Sequence, residues 1–144
     1  MAYWLFKSEP SVWSWEMQKA KGREGEEWAG VRNYQARNNM RLMKLGDKGF
    51  FYHSNEDRAI VGIVEVCELA HKDSTADVDT WDCVDIRALI DVPKPVTLDY
   101  IKTDDRLRDM VLVKNSRLSV QPVTTEEWKT LCDLGGVKTP PRLT

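Results

Sequence analysis

Residues Trp28–Arg41 read WAGVRNYQARNNMR, and the rest of the chain is organised around what this stretch becomes. Asn33 is placed to cap a helix, because its carboxamide can accept from the free N–H groups of a first turn. Ala36, Met40 and Met43 then recur at spacings of four and three, an apolar stripe for a core. Arg37, Arg41 and Lys44 repeat that spacing on the neighbouring face. Gly46 stands where a helix favours glycine just past its end. Such a helix rests on a core and points the donor-rich N-terminal end outward. Cations, amides and a ring crowd its entry (Arg32, Asn33, Tyr34, Gln35, Arg37, Asn38, Asn39). These side chains grip phosphate, read base edges and stack on bases. Taken alone, the composition favours an ordinary amphipathic helix with a solvated basic face.

Downstream of the helix, Lys48–His53 (KGFFYH) reads as a strand, Ser54–Asp57 as a turn and Ile60–Val66 as the next strand. Gly62 inside that second strand marks a bulge or a close backbone approach. Upstream, Tyr3–Lys7 is a buried first strand ended by Ser8-Glu9-Pro10. Ser11 or Ser14 caps a short helix carrying Trp15 and Met17, and Lys19–Glu27 is a polar surface loop.

Trp81–Val92 alternates, with Val84, Ile86, Ala88 and Ile90 on one side and Asp85, Arg87 and Asp91 on the other. Pro93 and Pro95 are expected to end it. Thr97 opens a short helical piece, and Leu107, Met110 and Val111 lie at helical spacing. Arg117–Val123 (RLSVQPV) reads as the final strand. Thr124 with Glu127 then forms a capping box for a helix whose apolar stripe is Trp128, Leu131 and Cys132. Gly135-Gly136 ends it.

A chain of 144 residues, 42% apolar and 31% charged, is an ordinary single globular domain. Its net charge of −2 excludes a global positive field, so any nucleic-acid binding must be local and pocket-like. Three cysteines without CxxC spacing and two histidines argue against a disulfide framework or a structural metal. The opening MAYWLFKSEP lacks the basic lead-in of a signal peptide, and no run approaches transmembrane length. A reducing, aqueous compartment is expected: cytoplasmic, or nuclear in a eukaryote, with no membrane partner.

Signatures of catalysis are missing. There is no Gly-rich phosphate loop, no HExxH and no nucleophile elbow. His71 falls in the polar stretch HKDSTAD and reads as a surface histidine. His53 and Ser54 are adjacent on a strand, so they face opposite ways. Cys67 and Cys83 lie within apolar strands, where thiols are inert. The expectation is no catalytic residue, no metal and no cofactor. What remains is a binding set at helix entries and strand ends: Trp28, Tyr34 and Tyr52; Asn33, Asn38 and Gln121; Ser8, Ser54 and Ser119; Lys7, Arg32 and Arg117. That mixture stacks a flat heteroaromatic ring and hydrogen-bonds its edge, and it suits a base taken out of its duplex.

Four segments occur in order: YWLFKSEP at 3–10, W-x-GVRNYQARN at 28–38, YHS at 52–54 and RLSVQPV at 117–123. Together they resemble the EVE domain family, over residues 2 to about 134. The resemblance implies an α+β fold of the PUA-like type, a curved, mostly antiparallel β pseudo-barrel with flanking helices, related to YTH, ASCH and SRA-like domains. Five or six short strands and three or four helices agree with it. A single EVE-like domain over residues 1–144 is expected, with 136–144 a flexible tail; the oligomeric state stays open, a monomer being favoured.

The function implied is non-catalytic binding of modified nucleobases in DNA or RNA, modified cytosine favoured. Carried over by motif, the pocket takes Lys7 and Ser8, then Trp28, Val31, Arg32 and Asn33, then Tyr52, His53 and Ser54, and last Arg117, Ser119 and Gln121. A modified base differs from its parent by one small group worth about 1–3 kcal/mol. An aromatic wall with a few polar contacts must therefore discriminate. Trp28 or Tyr52 is expected to stack, Asn33 and Ser54 to read the edge, and Arg32, Lys7 and Arg117 to hold phosphates. Two other readings stay open. One is an ASCH-type nucleoside- or amide-processing enzyme, for which only Lys7 and His53 offer themselves. The other is an RNA-binding module without modification specificity.

Overall fold

Apolar runs without alternation, such as Tyr3–Phe6 and Phe50–Tyr52, need a sheet covered on both faces. The computed structural model, which describes residues 2–138, has such a sheet. Its elements in chain order are β1 (Tyr3–Ser8), α1 (Trp15–Ala20), β2 (Glu26–Glu27), α2 (Tyr34–Leu42), β3 (Lys48–His53) and β4 (Ala59–Lys72). Then follow β5 (Asp82–Thr97), α3 (Leu98–Thr103), α4 (Val111–Lys114), β6 (Val120–Val123) and α5 (Thr125–Leu134). The strand order is β2-β5-β4-β3-β1-β6 in one open sheet, and only β1 and β3 pair in parallel. The α+β, mostly antiparallel PUA-like fold is the one expected.

Successive residues of β1 feed two cores. Tyr3 and Leu5 pack with Phe50, Ile63 and residues of α3 and α5. Trp4 and Phe6 face the other way, onto Phe51, Trp15 of α1 and Ala36 and Met40 of α2. In the first core the Trp128 ring lies between Tyr3 and Phe50, with centroids 4.3 and 4.2 Å away. The capping box of α5 forms as read: the Thr124 hydroxyl accepts from Glu127 N–H and the Glu127 carboxylate accepts from Thr124 N–H. A one-residue bulge at Val61 separates the pairs Phe51–Gly62 and Tyr52–Ile60, which puts Ile60 and Ile63 in one core.

Several boundaries differ from the sequence reading. β5 does not stop at Pro93 and Pro95 but runs on to Thr97. Both prolines fall in an irregular stretch, between Asp91 opposite Gly62 and Val96 opposite Ile60, where no ladder donor is required of them. β4 continues through His71 and Lys72, which pair with Cys83 and Asp82, so HKDSTAD is not wholly a surface loop. Glu26 and Glu27 form a short edge strand against Ile86 and Asp85 rather than loop. α2 ends at Leu42, not near Gly46, because the buried Asp47 carboxylate accepts from Lys44 N–H and Trp4 Nε1–H. Ile90, expected on the apolar side, is exposed beyond the reach of the core. The strand read at Arg117–Val123 begins only at Val120.

Of the expected tail 136–144, residues from 139 on lie outside the described residues. Val137 is buried in the first core, so the beginning of that segment is docked. No helix among the described residues is long and apolar enough to cross a membrane.

Candidate functional site

Two clefts meet at the end of β1. The first has a volume of about 660 Å³. One side of it is the segment 28–32, which carries no regular structure and needs fastening. The fastener is Asp73, whose carboxylate is 1% exposed and accepts from Gly30 N–H at 2.8 Å and Arg32 Nη1 at 3.2 Å. The same carboxylate accepts from Thr75 N–H at 2.8 Å and its hydroxyl at 2.6 Å. Burial alone would raise the Asp73 pKa, but these donors outweigh it and hold the carboxyl below its ordinary range. Gly30 turns here at φ +83°, a conformation only glycine adopts without strain.

The lining of this cleft is aromatic, apolar and acidic together. Trp28 is 7% exposed and meets Phe6 and Phe51 edge-on at 5.3 and 5.6 Å, so it is a floor held in the core. Trp13 is half-buried, its indole N–H fixed on Gln18 Oε1 at 2.9 Å. Val12 and Val31 add apolar surface, and Glu9, Glu26 and Glu27 also line the space. Burial works to raise the Glu27 pKa, yet the Ser74 hydroxyl and N–H hold it ionised below its usual value.

The second cleft, about 710 Å³, has the opposite character. Lys7, Arg58, Lys102 and Arg117 line it with Tyr52, Ser54, Asn55 and Ser116, and Glu9 is its one carboxylate. Lys7 donates to Ser116 O at 2.5 Å, and burial lowers its pKa. Lys7, Glu9 and Ser119 belong to both clefts.

The EVE domain pattern matches residues 2–134. This chain belongs to the EVE domain family. Mouse thymocyte nuclear protein 1 is 35% identical, the match covering 92% of this chain and 73% of that protein. A crystal structure from Agrobacterium tumefaciens is 63% identical over 100% of this chain and 99% of that one, with a TM-score of 0.96. The human THYN1 protein in complex with 5-methylcytosine-containing DNA is 33% identical, covers 96% and 100% of the two chains, and has a TM-score of 0.86.

The EVE domain divides the sequence-derived residues between its clefts. Ser8, Trp28, Val31 and Arg32 line the first, Tyr52, Ser54 and Arg117 the second, and Lys7 and Ser119 both. Three line neither. Asn33 is spent on capping, its Oδ1 accepting from Ala36 N–H at 2.9 Å. His53 turns to the α1 side, where Nε2 accepts from Trp15 N–H at 3.0 Å and the ring pairs with Asp57. Gln121 is fully buried and donates to Leu118 O at 2.7 Å. Tyr52 is 2% exposed, so its ring has no free face to stack on a base. The sequence reading also missed Val12, Trp13, Glu26 and Glu27 in the first cleft and Arg58 and Lys102 in the second. Trp13 was visible in SVWSW, but nothing there says which of two neighbouring tryptophans enters the core.

Folding also gathers Glu27, His71 and Cys83, whose ligand atoms lie within 4.8 Å of one another. Each is already engaged. His71 Nε2 meets Asp85 at 2.7 Å, which raises its pKa, and Glu27 takes the Ser74 donors. Burial pushes the Cys83 thiol up, away from the thiolate a metal requires.

Proposed function

We propose that this EVE domain is a non-catalytic reader of a modified base in DNA, with modified cytosine the favoured ligand and the first cleft its pocket. The observation that carries the reading is the lining itself: indoles of Trp13 and Trp28 and two valines beside acidic side chains. A flat ring enters between apolar walls, and a methyl group on it adds contact with Val12 or Val31 worth about 1–3 kcal/mol. Carboxylates accept from the exocyclic amine of cytosine and repel a base edge that offers only acceptors. Glu26 takes that role, since Glu27 is engaged by Ser74, and Trp13, with more surface free than Trp28, does the stacking. Arg32, Lys7 and Arg117 hold the strand, and the DNA complex of the human relative supports this kind of ligand.

Cleft volume also fits one nucleotide extruded from its helix rather than a stretch of duplex. The two side chains that the enzymatic reading relied on do not meet in either cleft, since His53 lines neither and Lys7 donates to Ser116 O. RNA is the second polymer to test, and a cytoplasmic or nuclear setting suits a reader of either.

The test is a titration of matched oligonucleotides containing cytosine or 5-methylcytosine, single-stranded and duplex, followed by tryptophan fluorescence. A several-fold preference for the modified strand is expected, with the nucleoside recovered unchanged afterwards. Equal affinity for both strands, or conversion of the base, would sink the reading.

A further inference from the structure

We infer that the second cleft is a phosphate site, which takes the backbone phosphate next to the nucleotide whose base fills the first; this rests on the first cleft being the base pocket. The two clefts share Lys7, Glu9 and Ser119, so one ligand can occupy both. Their charges are complementary to the two halves of a nucleotide. Three acidic side chains and two basic ones line the first, four basic and one acidic the second, in a chain whose net charge is −2. An acid-rich aromatic cleft suits a base with an amine, and a basin of cations and hydroxyls suits an anion.

Lys102 and Arg117 make no ion pair among the described residues, so their charge is available to a ligand. Arg58 reaches Asp99 only at 3.4 Å. Asn55 (φ 67°) and Arg58 (φ 44°) shape the turn between β3 and β4 that lines this cleft. Leu98 N–H donates to Arg58 O at 2.8 Å and ties that turn to α3, which carries Lys102.

The experiment compares 5-methyl-2′-deoxycytidine with its 5′- and 3′-monophosphates and with inorganic phosphate, by calorimetry on the full chain. At least one monophosphate should bind about tenfold tighter than the nucleoside, and inorganic phosphate should compete with it. Lys102→Glu should remove most of that tenfold while leaving nucleoside affinity as in the wild type, and Arg117→Ala should likewise weaken the monophosphates. Lys129→Glu, the same charge change on α5, which lines neither cleft, should leave the preference intact. Equal binding of nucleoside and monophosphates overturns the proposal, as does an equal loss from Lys102→Glu and Lys129→Glu. Cytidine and 5-methylcytidine forms run in parallel separate the two readings. Loss of methyl preference with retained phosphate dependence defeats the base pocket and leaves the phosphate site standing.

Discussion

Trp13 and Trp28 look interchangeable in a sequence, and the structure buries them to different depths. Trp28 is closed in by Phe6 and Phe51, so Trp28→Ala opens a core cavity. It should cost about 3–5 kcal/mol of stability, read by thermal or denaturant unfolding. Trp13 is half-buried, and Trp13→Ala should instead weaken a modified oligonucleotide by about 1–3 kcal/mol with a smaller change in unfolding. The reverse pattern would return Trp13 to a packing role.

Asp73 makes a sharper case. Its folded pKa lies below the unfolded value of about 3.9, so its contribution is complete above that pH and is lost as pH falls through the folded value. Asp73→Asn should destabilise the neutral-pH protein by about 1–3 kcal/mol, loosen the 28–32 segment and flatten the acid limb of a stability–pH curve. An unaltered acid limb would show that the four donors around Asp73 add nothing to the fold.

Elements were legible where local chemistry and tertiary demand agree. The caps at Asn33 and Thr124 formed as read, because a side-chain oxygen beside free N–H groups is a purely local arrangement. β5 was misjudged because proline forbids a ladder bond, and whether a ladder bond is demanded depends on the partner strand. The site was legible as a set of residues but not as a partition. Nothing in YHS shows that Tyr52 and Ser54 serve one cleft while His53 serves α1, and Glu27, His71 and Cys83 meet only through strand pairing.

Gly62 was marked in advance as a point of close approach, and a Cβ there would lie 2.3 Å from the Trp15 ring. Gly62→Ala should therefore displace α1 and destabilise by about 1–3 kcal/mol, seen as a lower Tm and a shifted Trp15 signal. An unchanged Tm would mean that α1 floats freely on the sheet.

For the whole molecule, the weak net charge and the two unlike clefts set the salt response. Binding should fall only gently with added salt, because a ligand confined to the two clefts engages few phosphates. Plotting log K against log salt for a short modified strand should give a slope of about −0.7 to −1.4, set by one or two phosphate contacts at about 0.7 each. A slope as steep as that of a basic groove protein would point to a broader DNA surface than the clefts provide. Elemental analysis should find no stoichiometric transition metal, since the donors that would bind one are hydrogen-bonded to each other and to Ser74 and Asp85. About one zinc per chain would contradict this.

The first strand of the chain sits between β3 and β6, and β6 is made of residues 120–123. On the ribosome, β1 emerges before the other strands of this domain and waits for its last neighbour until most of the domain has been synthesised. Until then its outer edge offers unpaired amide and carbonyl groups beside four aromatic and aliphatic side chains. Contacts between such distant segments make for slow closure. Nascent chains that stall before Val120 are the species most exposed to aggregation, and holdase chaperones should bind those lengths preferentially.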